Sequence, residues 1–139
     1  MLRVLLVVQP QHEQSDALAA ALAATPLSEV YAHPAMTDAA TVLAAPHTLV
    51  PTSDGRLEAG ASAIELVQSV AEGNEGTIAL VADARVVREV LVYALDAPVA
   101  EDRLPLDPGT IAEVEVRLDA PWTVNRINDG CHLRPLDER

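Results

Sequence analysis

The short apolar run Leu2–Val8 restricts the fold of this chain more than any other segment. It is almost uninterrupted, is rich in β-branched valine, and is followed by Gln9 and Pro10. Such a run predicts a strand that is buried on both faces, as in the middle of a parallel sheet. Because ligands of open α/β sheets bind beyond the carboxyl ends of the strands, Gln9 and Pro10 are the first candidates for a functional site.

Alternating apolar and helix-forming segments follow this run. Strands are predicted at residues 29–32, 47–50 and 77–82, and helices at 14–24, 33–46, 61–72 and 84–95. After a proline-rich loop at 96–109, residues 110–118 and 122–127 predict an antiparallel hairpin in which Ile111 to Leu118 alternate inward. This order predicts an α/β fold, a three-layer α/β/α sandwich whose mainly parallel sheet has an antiparallel C-terminal edge hairpin. We expect a single domain over residues 1–139.

The charge balance excludes several classes of partner. The chain has 21 acidic and nine basic residues, which gives a formal net charge of −12 at pH 7. Nucleic acids and anionic lipid surfaces are bound by clustered Lys or Arg, so neither is an expected partner. No apolar run is long enough to span a bilayer and no signal-peptide pattern is present, so a cytoplasmic protein is predicted.

Neither a metal nor a cofactor is predicted. Cys131 is the single cysteine, so an internal disulfide is excluded. Asp129, Cys131 and His132 lie close together in sequence, but no second Cys or His pair completes a structural zinc site.

Several segments, taken in order, resemble the histidine phosphatase superfamily, which has the phosphoglycerate-mutase-like fold. QSDALAAAL at 14–22 resembles its first helix, VYAHP at 30–34 a strand-to-helix junction, and IALVAD at 78–83 a later strand. RLE at 56–58 resembles a loop of the family, and Trp122 with IND at 127–129 and HL at 132–133 its closing segment. The chain is short for this family, because the segments that usually shape the substrate pocket are largely missing.

The resemblance implies a catalytic site at which the functional residues are replaced. The family accepts the phosphoryl group on a histidine in an Arg-His-Gly motif at the end of the first strand. It also uses a second arginine, a second histidine and an acid/base glutamate. The positions that match the motif here are Val8, Gln9 and Pro10. Thr37 matches the second arginine, and Asp83 matches the second histidine. Glu58 matches the glutamate with a one-residue offset.

These replacements imply that the phosphatase chemistry is lost and that none of these positions is catalytic. An amide such as that of Gln9 has no basic lone pair with which to attack phosphorus. A carboxylate at Asp83 repels phosphate, by roughly 4 kcal/mol for like charges ~4 Å apart at an effective dielectric constant near 20. The arginines that would compensate the charge of the transferring oxygens are absent from the matching positions.

Two hypotheses about function remain open. The first is a catalytically inactive binding or regulatory module for a protein partner, a small ligand or a second copy that pairs through the edge hairpin at 110–127. Its ligand-binding candidates are His33, Asp83, Arg85 and Gln9. The second hypothesis is an enzyme with a changed reaction that uses Asp83, His33, Glu58 or His12 as acid/base groups.

Some of these residues also have a structural interpretation. Aspartate is a preferred helix N-cap, and Asp83 directly precedes a predicted helix. Arg85 then lies in the first turn of that helix, where an exposed arginine needs no ligand. His33 precedes Pro34 at the start of another helix, where a capping or loop histidine is an alternative to a ligand.

Overall fold

The computed structural model describes residues 1–99 and 103–134. Residues 100–102 of the predicted loop at 96–109, and residues 135–139 of the predicted domain, lie outside this range. The strands are β1 (Leu2–Val8), β2 (Glu29–Ala32), β3 (Thr52–Ser53), β4 (Thr77–Ala82), β5 (Ile111–Val116) and β6 (Thr123–Asp129). The helices are α1 (Ser15–Leu22), α2 (Thr37–Ala44), α3 (Gly60–Ala71) and α4 (Ala84–Leu95).

The strands form one six-stranded sheet in the order β3-β2-β4-β1-β5-β6. Strands β1 to β4 are parallel, and β1 pairs with β4 from Arg3↔Thr77 to Val8↔Ala82. Strand β5 runs antiparallel to β1, and β6 antiparallel to β5. The carboxyl ends of β1 to β4 therefore lie along one side of the sheet, called the carboxyl edge here, and the opposite side is called the amino edge.

Helices cover both faces of the sheet, which confirms the predicted three layers. Leu5 and Val7 of β1 pack in one core with α1 and α2, whereas Val4 and Leu6 pack on the other face with α3 and α4. Every residue of β1 except Arg3 is buried. A strand needs an apolar residue at nearly every position when helices lie on both of its sides, and the run at Leu2–Val8 meets that need.

The predicted strand at residues 47–50 is wrong. A 3₁₀ turn covers Ala45–His47, and Thr48 has a left-handed backbone with a φ of 58°, which cannot continue into an extended strand. Strand β2 instead pairs with Thr52 and Ser53. Val50, which the prediction placed in the sheet, is 88% exposed.

The prediction for β5 is also corrected. Ala112, Val114 and Val116 pack against the α3/α4 core, but Ile111 packs on the opposite face with α1 and α2. Leu118 lies beyond the end of the strand and is 67% exposed instead of pointing inward. The strand is buried on both faces because the core on each side of the sheet extends over it. No helix among the described residues has the length and apolar character that a bilayer crossing needs.

Candidate functional site

Three of the candidates lie side by side at the carboxyl edge. The backbone N–H of Gln9 donates to the carbonyl of Ala82 at 2.8 Å, and that of His33 donates to the carbonyl of Val81 at 2.9 Å. Strand β4 lies between β2 and β1, so Asp83 follows a strand flanked by the ends that carry His33 and Gln9. The parallel sheet thus brings these residues to one edge.

Asp83 is the N-cap of α4. Its Oδ1 accepts a hydrogen bond from the backbone N–H of Val86 at 2.9 Å, which satisfies one of the amides that a helix start leaves without a partner. Arg85 is exposed, and its Nη2 donates to the backbone carbonyl of Glu58 at 3.1 Å. That bond joins the first turn of α4 to the 3₁₀ turn at Gly55–Glu58. Both candidates therefore have structural partners.

His33 and Thr37 bond to the backbone of their own segment. The Nδ1 of His33 accepts from the N–H of Ala35 at 3.0 Å, which caps the 3₁₀ turn Pro34–Met36. The hydroxyl of Thr37 donates to the carbonyl of Pro34 at 3.2 Å. An Nδ1 that accepts a hydrogen bond holds the neutral ring in the Nε2–H form.

Val8 lies in the sheet and not in a pocket. It is 3% exposed, its side chain belongs to the α3/α4 core, and its N–H donates to the carbonyl of Thr110 at 3.0 Å. The position that the resemblance matches to the first residue of the family's motif therefore holds a core side chain here. Glu58, at the end of its 3₁₀ turn, is exposed.

A cavity of about 370 Å³ opens at the carboxyl edge between the starts of α1 and α2 and is called the carboxyl-edge cavity. Of the predicted residues, it is lined by Gln9, Pro10 and His12. Its lining does not include the remaining candidates, which are Val8, Asp83, His33, Glu58, Arg85 and Thr37. The structure therefore does not bring the four acid/base candidates together around this cavity.

The other lining residues were missed by the sequence reasoning. Asp16 and Asp38 lie in the first turns of α1 and α2, and Ser15 and Met36 line the cavity between them. The signal that could have been used is the pair of first-turn aspartates, each of which follows a strand that ends at this edge.

The charges of the carboxyl-edge cavity are unfavourable for an anion. Its lining includes two carboxylates and one histidine, and no arginine of the described residues lines it. Two carboxylates in the first turns of two helices offset the positive potential that helix N-termini otherwise offer to phosphate. The arrangement is better suited to a neutral or cationic group.

Two polar groups near β2 and β3 have structural functions. The Oδ1 of Asp54 caps the turn Gly55–Glu58 by accepting from the N–H of Arg56, and the two side chains form an ion pair at 2.8 Å. The hydrogen bond from the Arg56 side chain holds the pKa of Asp54 below its ordinary value. Burial, together with the hydrogen bond to Glu29, raises the pKa of Tyr31 to about 12, so this phenol stays protonated at neutral pH.

The C-terminal trio does not form a metal site. The Oδ1 of Asp129 accepts from the backbone N–H of Cys131 at 3.1 Å, and this bond and Arg126 lower the pKa of Asp129. The Nε2 of His132 lies 2.8 Å from the carbonyl oxygen of Gly109. Within residues 1–99 and 103–134, no group of three His, Cys, Asp or Glu side chains could hold a metal ion.

Comparison with known proteins shows a likeness in structure. No protein-family model and no curated sequence matches the chain. YhfR of Bacillus stearothermophilus has a TM-score of 0.83 at 16% identity, and the match covers 96% of this chain and 100% of that chain. For mycobacterial glucosyl-3-phosphoglycerate phosphatase the TM-score is 0.76 at 14% identity, over 91% of this chain and 98% of that chain.

Phosphoglycerate mutase from Plasmodium falciparum has a TM-score of 0.68 at 16% identity, over 91% of this chain and 89% of that chain. At such identities the likeness concerns the fold. The resemblance inferred from the short sequence segments is confirmed at that level.

Proposed function

We propose that this chain, which has the fold of the histidine phosphatase superfamily, is a catalytically inactive protein that acts as a binding or regulatory module. The observation that carries this proposal is the pair of adjacent strand ends at Gln9 and Asp83. The first offers an amide where the resemblance implies a nucleophilic histidine, and the second a carboxylate that caps α4.

The charge at this edge supports the same proposal. Phosphoryl transfer is catalysed mainly by positioned positive charge around the transferring oxygens. Val8 is buried, Thr37 bonds to the carbonyl of Pro34, and the carboxyl-edge cavity has aspartates in its lining. A phosphate ester there would meet negative charge, which no arginine among the described lining residues offsets.

An enzyme with a changed reaction is the alternative. It needs at least two of Asp83, His33, Glu58 and His12 to act on one substrate. Asp83 and His33 both accept hydrogen bonds from backbone amides, and of the four only His12 lines the carboxyl-edge cavity. No observation favours this alternative over a binding function.

A phosphatase assay tests the proposed loss of activity. Wild type and the Gln9→Ala variant are compared on p-nitrophenyl phosphate, with an active histidine phosphatase alongside. We expect no release above buffer from either form of this chain. Turnover by wild type that Gln9→Ala abolishes would overturn the proposal, and turnover abolished by His12→Ala or Glu58→Gln would favour the changed-reaction enzyme.

A thermal-shift screen tests the proposed binding function. Phosphorylated, carboxylated and amine-bearing metabolites are added to wild type and to Asp38→Asn. A ligand at 100 times its Kd stabilises a protein by ~2.7 kcal/mol, which raises Tm by several degrees at this size. We expect amines or neutral compounds to raise the Tm of wild type and phosphates to leave it unchanged. A phosphate-induced rise would contradict the charge argument.

The remaining parts of the proposal concern location and assembly. The net charge of −12 supports a protein that binds neither nucleic acid nor membrane, and a single cytoplasmic domain is the setting that we propose for it. Strand β6 ends the sheet on one side, which supports a second copy pairing through the hairpin as one form of binding. Sedimentation at several concentrations measures this assembly.

A further inference from the structure

A second and larger cavity, of about 530 Å³, lies at the amino edge and is called the amino-edge groove. It is bounded by the ends of α3 and α4 and by the turn between β5 and β6. The lining residues on which the following inference depends are Glu72, Tyr93, Asp96, Arg117, Leu118 and Trp122. None of them belongs to the carboxyl edge, so this surface is separate from the carboxyl-edge cavity.

The groove exposes large apolar and aromatic side chains. Tyr93 and Trp122 meet edge to face, with ring centroids 4.8 Å apart and an interplanar angle of 69°. The Nε2 of Gln68 donates to the hydroxyl of Tyr93 at 3.1 Å and thereby connects α3 to this pair. Tyr93 is nevertheless 46% exposed and Leu118 67% exposed. Aromatic residues held rigidly at a surface are typical of the residues that dominate binding energy at interfaces.

The electrostatics of the groove favour a cation. Both α3 and α4 end there, and neither has a basic residue in its last turn. A helix carries roughly −0.5 of an elementary charge at its C-terminus, where a basic side chain is stabilising and an acidic one is not. Here the C-cap residues are Glu72 and Asp96. Their carboxylates therefore add to the partial negative charge that each helix carries at its C-terminus.

The surroundings of the groove add to this negative charge. An adjoining hollow shares Val116, Arg117 and Leu118 with the groove and is also lined by Glu75 and Asp119. Among the described residues that line the groove or this hollow, Arg117 is the one basic side chain, and Met1, which carries the α-amino group, also lines the hollow. Four carboxylates, those of Glu72, Asp96, Glu75 and Asp119, outnumber these two positive groups. A ligand that brings its own positive charge would therefore supply the counter-charge that these helix ends lack.

We propose that the amino-edge groove docks a segment of a partner protein that carries Lys or Arg next to large apolar side chains. The apolar side chains cover Leu118 and Trp122, and the basic ones lie near Glu72 and Asp96 at the helix ends. In this groove a second copy is the less suitable occupant, because an acidic chain brings little of the positive charge that would pair with Glu72 and Asp96.

Tryptophan fluorescence tests this proposal directly, because Trp122 is the only tryptophan of the chain. The probe is a short amphipathic peptide with leucine at helical spacing and lysine elsewhere. We expect a saturable change in the emission of Trp122 as peptide is added, and we expect the affinity to fall with added salt. Two matched peptides, with lysine replaced by glutamate or leucine replaced by serine, should bind at least about tenfold more weakly. Equal binding of all three, or of none, overturns the proposal.

Protein variants separate docking in the groove from attraction to an acidic protein in general. Glu72→Gln with Asp96→Asn removes two charges at the groove, and asparagine tolerates the left-handed backbone of Asp96. Glu13→Gln with Glu65→Gln removes the same charge from exposed positions outside the groove lining. We expect the first pair of substitutions to lower the affinity for the peptide about tenfold, and the second pair to change that affinity less than about twofold.

Two further results would decide against the groove. Equal weakening by both pairs of variants would show that net charge alone attracts the peptide. A dimer of the wild type that Leu118→Ser dissociates would show that a second copy occupies the groove. Circular dichroism checks that each variant keeps its helices, and the phosphatase assay, which depends on the opposite edge, is independent of all these outcomes.

Discussion

Asp83 is the residue whose interpretation depends most on a single bond. By the resemblance it takes the place of a histidine, yet its carboxylate accepts the N–H of Val86 and begins α4. Aspartate in this position serves the fold whether or not any ligand is bound. The presence of an aspartate at this position is thus explained by the helix that follows the strand.

We therefore predict the cost of removing this cap. Asp83→Ala should lower the free energy of unfolding by about 1 kcal/mol, because an N-cap acceptor is lost. Asp83→Asn keeps an acceptor oxygen and should recover most of that loss. Urea denaturation measures both. A neutral effect of Asp83→Ala would show that the cap is not a stabilising one.

Glu113 is a buried carboxylate that the sequence reasoning did not single out. It accepts hydrogen bonds from Arg3 Nη2 at 2.9 Å and Asn125 Nδ2 at 2.8 Å, and Arg126 lies 3.6 Å away. Burial works to raise the pKa of Glu113, but the hydrogen bonds from Asn125 and Arg3 and the charges of both arginines outweigh it and lower the pKa. This cluster connects β1, β5 and β6.

The direction of that pKa shift predicts a pH-dependent contribution to stability. A carboxyl whose pKa is lower in the folded state stabilises the fold above its unfolded pKa, near 4.5, and this contribution is lost as the pH falls through the folded value. Glu113→Gln should lower the free energy of unfolding by about 1 to 2 kcal/mol at pH 7, and by less below about pH 4.

Glu115→Gln is the matched control for this prediction. Glu115 lies on the same strand and also accepts from Asn125, at 2.9 Å, but it is less buried. We expect little change in urea denaturation from this substitution, within about 0.5 kcal/mol. A loss for Glu115→Gln as large as that for Glu113→Gln would contradict the role given to burial and to the arginines.

Among the secondary-structure elements, the packing of α3 against α4 depends on a glycine. A Cβ built at Gly60 would lie 2.4 Å from the Cβ of Glu89 and 1.7 Å from its Oε2. The carboxylate could rotate away, but the Cβ atom is fixed to the backbone of α4. The start of α3 therefore approaches α4 more closely than any side chain allows.

Gly60→Ala should consequently destabilise the protein by about 1 to 3 kcal/mol, because the two helices must move apart. This sign is opposite to the gain that alanine usually brings to a helix. Gly73→Ala is the control, since nothing lies within 4 Å of a Cβ there. Thermal or urea unfolding measures the stability of the two variants relative to wild type. Rescue of Gly60→Ala by Glu89→Ala would contradict this explanation, because alanine keeps the Cβ atom.

For the molecule as a whole, the main electrostatic property is the net charge of −12. Repulsion among like charges opposes the compact state, and dissolved salt screens it. Between about 0.1 M and about 1 M NaCl the Debye length falls from about 10 Å to about 3 Å. Most acidic residues among those described are on the surface, where this screening acts.

We therefore predict that added NaCl stabilises the chain. Over that range Tm should rise by a few degrees, which corresponds to about 1 kcal/mol for a domain of this size. The variant Glu13→Gln, Glu65→Gln, Glu72→Gln, which carries less negative charge, should show a smaller rise. A Tm that falls with salt would show that the ion pairs around Glu113 and Asp54 outweigh the general repulsion. Differential scanning calorimetry provides the measurement.

The layered sheet and most of its elements could be predicted from the sequence. Strands β1, β2 and β4 and helix α4 have the predicted bounds, because burial on two faces requires unbroken apolar runs and an amphipathic helix requires a repeating stripe. The positions of Gln9 and Asp83 at strand ends follow from the same runs. The order of residues is therefore enough to place Gln9 and Asp83 at the carboxyl edge, but it did not identify Asp16 and Asp38 as lining residues of the cavity there.

How distant segments meet could be learned only from the folded chain. Strand β3 lies at Thr52–Ser53 and not at 47–50, because β2 selects its partner by backbone hydrogen bonds that local hydropathy does not encode. The amino-edge groove exists because Tyr93 of α4 meets Trp122 beside two helix ends. Neighbours in sequence indicate which face of a helix or strand is apolar. A cavity is the space between elements, and its shape and charge follow from their packing.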